Sequence, residues 1–476
     1  MGKGTKSYGK VLTRRELLEL AGKAALGLGV GGGLAACAAP TPTPGVVEVT
    51  KIVPGTPEVI TEIITPTPPE LVTVDLWQNW AGILGKAVDR LCERFDDAEP
   101  YIDVNCLVTE IGVHPEKLVT AVAGGNPPDG VTLSGDLVVG FVTKEMLLPL
   151  DDLIDASEVI SRDNYADAMW EPLMSEGKTY GVPALESAPR CGLGWNKTLF
   201  EEAGMDPERP PTTLEELSAY AEQLTKFDAA GNLIQVGFDP LDAVGGGPAL
   251  HTWTRAFGAE WYDAEAQKVY LNSPEMVEMV DYIASFHKKH GPEKMAAYRT
   301  SYSKWCGRPE SSFPRGVEAM ILEGYWAPGE LKVTAQPGLE FGWTWMPTKT
   351  GETFQLVGGW NVCIPKGAKD IDEIFKLFEF LGTDDSNLTI LEMAGSFCAT
   401  NSFAEKTDFA RFGGLAWFME SVVKADKTYG NVLCPVFAEA RDRLLSGIDE
   451  VSFGLKTTQE MLDELQEAVQ QAVDAV

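Results

Sequence analysis

Apolar and polar positions follow two different periods along residues 71–143. Between residues 83 and 95, apolar side chains recur every three to four positions, which is the spacing of one helical face. Between residues 102 and 108 they occupy every second position, which is the spacing of one face of a strand. These rules predict strands over 71–77, 102–108 and 130–133, and helices over 83–95, 114–123 and from Asp136 onward. That order predicts a parallel sheet with helices on both faces, and hence an α/β fold.

Residues 181–204 predict a passage of the chain from one domain to another. Pro183 has no backbone N–H to give to a sheet, so we expect one strand to end there. A new strand and a short helix follow, and Gly204 ends the helix because glycine suits the left-handed conformation beyond a helix. Thr212 and Glu215 have the spacing of a capping box, which predicts the start of another helix.

Length and composition are those of a globular protein with more than one domain. The chain has 476 residues, more than one hydrophobic core usually holds, so we expect two or three domains. Its hydrophobic fraction of 44% is ordinary for such proteins. The net charge of −31 repels phosphate backbones, so nucleic acid is not an expected partner. The same charge mildly disfavours an anionic ligand, although a local basic pocket would override it.

The cysteines and histidines form no recognisable metal or redox motif. Eight cysteines are spread singly without a CxxC pair, which leaves any disulfide pairing open. Among the four histidines, His287 and His290 share a helix face beside Lys288 and Lys289. We expect that face to be solvated rather than to bind metal, and we predict no metal and no cofactor.

The first 36 residues resemble a bacterial secretory signal peptide. Five Lys and Arg residues between positions 3 and 15 precede an apolar stretch, rich in Gly and Ala, that begins at Leu17. The stretch ends in Leu34-Ala35-Ala36-Cys37, which resembles the lipobox of bacterial lipoproteins. That resemblance implies removal of residues 1–36 and attachment of a diacylglycerol to Cys37. The Arg14-Arg15 pair leaves both twin-arginine and general secretory export open.

Residues 37–70 are rich in Pro and Thr, which predicts an extended tether behind the lipidated Cys37. Two pieces of this tether, 47–50 and 59–64, alternate apolar and polar side chains as strands do. We expect the interspersed prolines to keep these pieces from pairing in a sheet. The tether would then hold the folded part of the chain away from a membrane surface.

Three motifs follow one another in the middle of the chain: Tyr180-Gly-Val-Pro183, WNKTLFEEAG at 195–204 and PPTTLEEL at 210–217. In this order they resemble the carbohydrate-binding, maltose-binding-protein-like solute-binding proteins of ABC importers. Gly316 to Met320 followed by Gly324-Tyr325-Trp326 matches a further element of that family. The resemblance runs from Leu71 to the C-terminus. It implies a two-lobed periplasmic-binding-protein-like (type II) fold with three crossovers between the lobes.

The resemblance also implies domain limits. The first lobe would comprise residues 71–184 and 361–400, and the second lobe residues 185–360 and 401–476. The segment GGWNVCIP at 358–365 resembles the strand that returns to the first lobe, and a third crossing falls near 395–402. Three crossings form a hinge, and a hinge allows two lobes to close around a ligand.

Candidate ligand-binding residues come from the strand ends and from the family resemblance. Ligands of open α/β sheets bind beyond the carboxyl ends of the strands, and the loops at 78–82, 134–136 and 184–188 meet that condition. Aromatic rings suit sugars because C–H faces pack flat on them, while hydroxyls need carboxylates or amides. The candidates are Asn79, Trp80, Asp136, Glu186, Trp253, Trp326, Gly359 and Trp360.

Several of these assignments keep an alternative. Trp80 could pack in a core, and Asp136 could cap a helix. Between Pro183 and Asn196 the chain has two residues more than the family pattern, so Glu186 matches the family's acidic residue only loosely. Gly359 is a candidate because paired glycines let a backbone approach a ligand closely.

The resemblance implies a substrate-binding lipoprotein of an ABC importer, which captures a sugar or oligosaccharide and delivers it unchanged to permease subunits. We therefore expect a monomer without enzymatic activity, anchored only by its lipid at the outer face of the cytoplasmic membrane. One alternative is binding of glycerol phosphate or another small solute, for which Arg190 and Arg255 are the candidate cations. Another is a secreted carbohydrate-active hydrolase or lyase, because 70 acidic residues supply many possible carboxylate pairs.

Overall fold

The computed structural model describes residues 45–51, 58–64, 70–109, 113–241, 247–302 and 306–476. The chain forms two compact units, residues 1–69 and residues 70–476. The candidate signal peptide and Cys37 lie outside the described residues.

Two strands pair with each other in the N-terminal unit. Strand β1, Gly45–Lys51, and strand β2, Glu58–Ile64, run antiparallel, with Gly45 opposite Ile64 and Lys51 opposite Glu58. Our expectation that prolines prevent a sheet here is wrong. Neither strand contains a proline, so every residue of both strands keeps a backbone N–H for the ladder.

The described strands of the C-terminal unit form two main sheets and two short pairs. They are β3 Val72–Gln78, β4 Ile102–Val108, β5 Gly130–Ser134, β6 Met174–Ser175, β7 Lys178–Thr179, β8 Val182–Pro189, β9 Gly192–Asn196, β10 Lys226–Phe227, β11 Leu233–Phe238, β12 Tyr262–Asp263, β13 Lys268–Val269, β14 Glu318–Glu323, β15 Phe341–Thr344, β16 Phe354–Cys363 and β17 Lys427–Tyr429. The first sheet has the order β17-β16-β5-β3-β4, with β8 paired to β16. The second has the order β10-β11-β14-β9-β15, and β6 pairs with β7 and β12 with β13.

Helices cover both main sheets. They are α1 Gly82–Ala98, α2 His114–Ala123, α3 Gly135–Thr143, α4 Asp151–Ala156, α5 Asp167–Trp170, α6 Lys197–Glu202, α7 Leu214–Leu224, α8 Gly247–Phe257, α9 Pro274–His290, α10 Pro292–Ser301, α11 Ala327–Thr334, α12 Ile371–Leu381, α13 Asp384–Ala394, α14 Asn401–Lys406, α15 Leu415–Lys424, α16 Phe437–Ser452 and α17 Thr458–Asp474. Short 3-10 helices lie at Arg162–Asn164, Glu171–Leu173 and Phe409–Phe412.

The first sheet confirms the predicted alternation of strands and helices. Strand β3 pairs in parallel with both β4 and β5, and β16 runs antiparallel to β5. Helix α2 has its predicted bounds, and α1 extends beyond its predicted bounds at both ends. The apolar residues that predicted α1, from Leu84 to Phe95, are buried. A helix with one buried face shows its period in the sequence, so local reasoning sufficed here.

The chain passes between the two sheets at defined positions. Strand β8 of the first sheet ends at Pro189, and β9 of the second sheet begins at Gly192. Later, β15 of the second sheet ends at Thr344, and β16 of the first begins at Phe354. Both first-sheet strands therefore reach several residues beyond the lobe limits that we predicted at 184 and 361. The third crossing near 395–402 stays a prediction.

Two local predictions need correction. Pro183 does not end a strand: it is the second residue of β8 and lies opposite Asn361. Because β8 pairs with a single neighbour in the first sheet, a residue without an N–H is tolerated near its start. The cap of α7 is Thr213 rather than Thr212, since the Thr213 hydroxyl accepts from the backbone N–H of Glu216 at 3.1 Å.

His287 and His290 are buried, so our expectation of a solvated helix face is wrong. Nδ1 of His287 hydrogen-bonds Ser452 Oγ at 3.0 Å, and Nε2 lies 3.4 Å from a carboxylate oxygen of Asp239. The two histidines thus belong to the packed side of α9. Within the described ranges, no group of three or more His, Cys, Asp or Glu side chains is arranged to hold a metal ion.

Two large clusters of buried side chains, and a small third one around Val236, form the core of the described C-terminal unit. One is built on the first sheet around Leu76, Leu133 and Phe378, and it extends to Tyr325 and Trp326. The other surrounds the second sheet and includes apolar side chains of α9, α16 and α17. The first cluster also includes Ile321 of β14 and Trp343 of β15, so buried packing is continuous from the first sheet to the second.

The sequence left disulfide pairing open, and the structure shows the state of the described cysteines. The seven cysteines among the described residues are free thiols, and all except Cys106 are buried. In the part of the chain that the structure describes, no helix combines the length and the apolar character that a membrane crossing demands.

Candidate functional site

Trp80 and Glu186 form the centre of the candidate site. Trp80 lies in the loop between β3 and α1, and its indole Nε1–H donates to Glu186 Oε2 at 2.9 Å. Its backbone N–H donates to Gln78 Oε1 at 2.6 Å, which holds the loop in place. Burial raises the pKa of Glu186 to about 7, against the opposing effects of Arg190 and of the Trp80 hydrogen bond. The structure brings these two predicted site residues into direct contact.

An irregularity in β8 positions this carboxylate. On β16, the step from Asn361 to Gly359 spans two residues, while the paired step on β8, from Pro183 to Ser187, spans four. Strand β8 therefore carries two extra residues, which form a bulge. Leu185 lies in the bulge with φ +64°, a left-handed conformation that is uncommon for a branched side chain. The chain exceeds the family pattern by the same number of residues in this part of the sequence.

Gly359 and Trp360 lie on β16 opposite the bulge. A Cβ atom at Gly359 would lie 2.0 Å from the carbonyl oxygen of Glu186, so a side chain does not fit there. We expected the paired glycines to let a ligand approach the backbone closely. Instead, the absence of a side chain at Gly359 lets strand β8 approach closely. Trp360 is partly exposed, and its ring meets the ring of Trp80 edge to face with centroids 5.2 Å apart.

Asn79 and Asp136 lie at the same edge of the first sheet. The side-chain oxygen of Asn79 accepts from Thr132 Oγ1 at 2.9 Å, which ties the loop after β3 to strand β5. Asp136 lies in the first turn of α3 and accepts a hydrogen bond from the Ser134 hydroxyl. Ser134 is the N-cap of α3 and pairs with Trp360 in the sheet. Asp136 therefore does not cap the helix, and it lies beside the Trp360 position.

Tyr325 and Trp326 approach from the second sheet, directly after β14. Trp326 donates its Nε1–H to Glu323 Oε2 at 2.7 Å, and its ring lies edge to face with Tyr325 at 5.6 Å. The backbone N–H of Tyr325 donates to the carbonyl oxygen of Pro189 at 3.2 Å, and its hydroxyl donates to that of Phe397 at 2.9 Å. These bonds bring the pair to the end of β8. Both rings are buried, so little of Trp326 is free for contact with another molecule.

Trp253 is not part of this cluster, contrary to our prediction. It is fully buried in α8, packs against Phe238 and Tyr282, and donates its Nε1–H to the carbonyl oxygen of Pro240 at 2.7 Å. Its whole surface is therefore used by the second core. Helix α8 directs this position inward.

His251 and Arg255 lie one turn apart on α8. The guanidinium of Arg255 stacks over the ring of Tyr429 at 4.3 Å and lies 3.8 Å from Glu260. Burial, together with the charges of Arg255 and Arg190, lowers the pKa of His251 to about 3, so its imidazole is neutral. Arg190 follows β8 directly, and no hydrogen bond or ion pair of its guanidinium occurs within the described ranges.

Four buried nitrogen atoms near this region lack a hydrogen-bond partner among the described residues. They are Gln78 Nε2, Asn79 Nδ2, His251 Nε2 and Arg255 Nε. Gln78 is the last residue of β3 and Asn79 begins the loop after it, whereas His251 and Arg255 belong to α8 beside the second sheet. Since buried polar atoms are nearly always hydrogen-bonded, these atoms are available to donate to a bound molecule.

Sequence reasoning missed two residues of this region. Tyr325 stood in the quoted motif beside Trp326, but only its contact with the end of β8 identifies it as part of the site. Asn431 lies in a segment without any periodic pattern. A Cβ atom at Gly358 would lie 2.3 Å from Asn431 Oδ1, and one at Gly135 would lie 3.0 Å from the same oxygen. No local signal could have placed this side chain beside both glycines.

Solved structures resemble the whole C-terminal part of this chain. CpMnBP1, solved with mannotriose bound, has a TM-score of 0.77 at 24% identity and covers 84% of this chain and 100% of its own. An ABC transporter solute-binding protein from Thermotoga lettingae, bound with α-D-tagatose, has a TM-score of 0.73 at 20% identity, with coverage of 84% and 100%. These likenesses confirm the predicted two-lobed α/β fold of periplasmic binding proteins.

Curated relatives match a shorter stretch. The sn-glycerol-3-phosphate-binding periplasmic protein of Shigella dysenteriae is 25% identical over 236 residues, which are 46% of this chain and 50% of that protein. The chain thus spans about half the length of the curated relatives it matches.

A family comparison covers more of the chain. The family described as bacterial extracellular solute-binding protein matches residues 90–415, about two thirds of the sequence. The matched segment contains Glu186, Trp326 and Trp360. Members of this family are exported and bind solutes rather than transform them. The chain therefore belongs to the bacterial extracellular solute-binding proteins.

Proposed function

We propose that this protein captures a carbohydrate between its two lobes and delivers it unchanged to the permease of an ABC importer. The observation that carries the proposal is the cluster of Trp80, Glu186 and Trp360 at the first sheet. The partly exposed ring of Trp360 offers a face for the C–H groups of a sugar, and the Glu186 carboxylate, held by the buried Trp80, offers an acceptor for its hydroxyls. The bound mannotriose of CpMnBP1 and the bound tagatose of the Thermotoga lettingae protein support the same class of ligand.

The unpartnered nitrogens support capture from two sides. Gln78 and Asn79 belong to the first lobe, and His251 and Arg255 belong to the second. A polyhydroxylated ligand bound between the lobes would accept hydrogen bonds from the nitrogen atoms of both lobes at once. Such contacts exist together only when the lobes are closed, so the ligand shifts the population toward the closed form. The permease would then recognise that form.

We also propose that the protein is a lipid-anchored monomer without enzymatic activity. The sequence Leu34-Ala35-Ala36-Cys37 supports acylation of Cys37, and residues 38–70 would serve as the tether. The lipid would hold the protein at the outer face of the cytoplasmic membrane. Replacing Cys37 by Ser should move the protein from the membrane fraction to the soluble fraction of expressing cells. Retention of the variant in the membrane fraction would contradict lipid anchoring.

The direct test of the carbohydrate proposal is a thermal-shift and calorimetry series. The protein is mixed with mannose oligosaccharides, maltooligosaccharides, tagatose and sn-glycerol 3-phosphate. A ligand at 100 times its Kd adds about 2.7 kcal/mol to the free energy of unfolding, which raises the thermal midpoint. Chromatography of the recovered sugar checks that it is unchanged. Cleavage of the sugar would replace this proposal by the hydrolase or lyase alternative.

Trp360→Ala tests whether the proposed site is the one that binds. Because the ring of Trp360 is partly exposed, we expect its removal to weaken carbohydrate binding by about 1 to 3 kcal/mol. Tyr101→Ala is the matched control, since Tyr101 is also an exposed aromatic residue and lies in the turn before β4. Equal affinities of Trp360→Ala and the wild type would remove Trp360 from the site.

A second candidate is an anionic small solute, and a specific observation favours it. Arg190 has no partner among the described residues, and it lies close enough to His251 and Glu186 to influence the pKa of both. The curated relative from Shigella dysenteriae is named for binding sn-glycerol 3-phosphate. Arg190→Gln should abolish binding of such an anion but leave the affinity for a neutral sugar within a few fold. Stabilisation by sn-glycerol 3-phosphate and not by any sugar would decide for this candidate.

A further inference from the structure

Two cysteines lie on neighbouring elements of the first lobe. Cys92 is on the buried side of helix α1, and Cys106 is on strand β4 at the edge of the first sheet. Cys92 is 4% exposed, whereas Cys106 is only partly buried. Nothing in the sequence marks these two cysteines as partners. No motif links them, and the other cysteines are also spread singly along the chain.

A hydrogen bond next to the two cysteines sets the register between helix and strand. The backbone N–H of Val104 on β4 donates to the Asp96 carboxylate of α1 at 2.9 Å. Since α1 connects the parallel strands β3 and β4, it runs in the opposite direction to β4. Moving back from Asp96 along the helix therefore corresponds to moving forward from Val104 along the strand.

The two cysteines lie at similar distances from this hydrogen bond, one along the helix and the other along the strand. Four residues back along α1 lead from Asp96 to Cys92, a rise of about 6 Å on the same helical face. Two residues forward along β4 lead from Val104 to Cys106, a rise of about 6.6 Å on the same strand face. Cys92 and Cys106 therefore face each other as Asp96 and Val104 do.

The two thiols are in contact. The thiol of Cys92 hydrogen-bonds Cys106, and this bond, burial and the nearby carboxylates of Asp96 and Asp89 raise the pKa of Cys92 well above its usual value. Cys92 therefore stays protonated, while Cys106 is the thiol that solvent can reach. Facing side chains that already touch need little backbone movement to be joined.

We propose that Cys92 and Cys106 form an intramolecular disulfide when the exported protein meets an oxidant. The oxidant is a disulfide, carried by a thiol–disulfide oxidoreductase or by a small molecule. The Cys106 thiolate attacks one sulfur of that disulfide, breaks its S–S bond and releases one thiolate. The Cys92 thiol then gives its proton to the released thiolate, and the resulting Cys92 thiolate attacks the Cys106 sulfur and releases the second thiolate, which takes up a proton from solvent. The two cysteines lose two electrons and two protons in total, and the oxidant becomes two thiols.

The bond would stabilise the unit that carries part of the candidate site. It would close the segment 92–106 and fasten α1 to β4. Gln78 ends β3, and the loop with Asn79 and Trp80 lies between β3 and α1, so all three residues belong to the same βαβ unit. Oxidation should therefore raise the thermal midpoint of the protein.

The full chain, prepared reduced, is tested with and without oxidised glutathione. After denaturation, free thiols are alkylated with a maleimide and counted by mass spectrometry. We expect two fewer alkylated thiols after oxidation, a linked pair of peptides that contains Cys92 and Cys106, and a higher thermal midpoint. Full alkylation after oxidation, a linked pair of other cysteines, or glutathione retained on Cys106 would each overturn the proposal.

Two variants test whether Cys92 and Cys106, rather than other thiols, form the disulfide. Cys106→Ser should abolish the loss of two thiols and the rise in thermal midpoint. Cys434→Ser is the matched control, because Cys434 is a buried free thiol of the other core, and oxidation should still consume two thiols in it. The peptide map of the wild-type chain decides the question even if a variant fails to fold. The readout does not depend on any ligand, so it is independent of the proposed transport function.

Discussion

At the scale of single residues, the burial of Glu186 makes the stability of the protein depend on pH. It is buried beside Trp80, and its pKa is raised to about 7, whereas a glutamate in an unfolded chain titrates near about 4.3. Between these two values the folded protein binds a proton that the unfolded chain has lost. The free energy of unfolding therefore falls as the pH rises through this window.

Glu186→Gln should remove this part of the pH dependence. From pH 5 to pH 7 we expect the wild type to lose about 2 kcal/mol of unfolding free energy through Glu186, and the variant to lose none of it. Urea unfolding at both pH values measures the difference. Glu145→Gln is the control, since the side chain of Glu145 is 83% exposed and should keep the wild-type slope. Equal slopes for Glu186→Gln and the wild type would mean that Glu186 is already ionised at pH 5.

The tryptophans show what single-residue reasoning can decide. Trp80 and Trp253 were both predicted to contact the ligand. In the structure both rings are buried, but Trp80 meets Glu186 and Trp360, while Trp253 contacts core residues. The sequence contains no information on which neighbours surround a ring, because those neighbours come from distant segments.

At the scale of elements, strands β8 and β16 join the two lobes at the candidate site. They pair along most of their lengths, and the bulge in β8 faces Gly359. Neither the bulge nor the continuation of β8 to Pro189 was predictable, because both depend on the register with a strand about 170 residues away. Helix α2 was predicted with its observed bounds, since a helical period is a local property.

Gly359→Ala should destabilise the protein. The added Cβ would overlap the carbonyl oxygen of Glu186, and we expect a loss of at least about 2 kcal/mol of unfolding free energy from this backbone contact. Gly382→Ala is the matched control, because its Cβ would meet its nearest neighbours at ordinary distances of 3.4 to 3.5 Å. We expect the control to change stability by less than about 0.5 kcal/mol. Urea midpoints of the two variants compare them directly, and equal midpoints would contradict the close approach at Gly359.

At the scale of the whole molecule, two sheets with their covering helices are joined by strands of the first sheet. Crossings of this kind can form a hinge about which two lobes move. The candidate site draws side chains from both lobes, so its contacts change when the lobes move. This is the physical basis for the proposed capture of a ligand.

A bound carbohydrate should make the protein more compact. We expect a lower radius of gyration in small-angle scattering when a binding sugar is added at saturation, because contacts to both lobes favour the closed form. A sugar that produces no thermal shift serves as the control and should leave the radius unchanged. An unchanged radius with a tightly bound sugar would show that binding does not close the lobes.

The sequence by itself determined the α/β class, the order of the first strands and helices of the C-terminal unit, and the family, because hydrophobic period, caps and short motifs are local. It also named Trp80, Glu186 and Trp360 as candidates, and the structure places Glu186 and Trp360 against Trp80. Only the tertiary structure decided that Trp253 belongs to a core, that Gly359 admits a strand, and that Cys92 faces Cys106. These facts depend on which distant residues become neighbours, and the packing of whole elements sets those contacts.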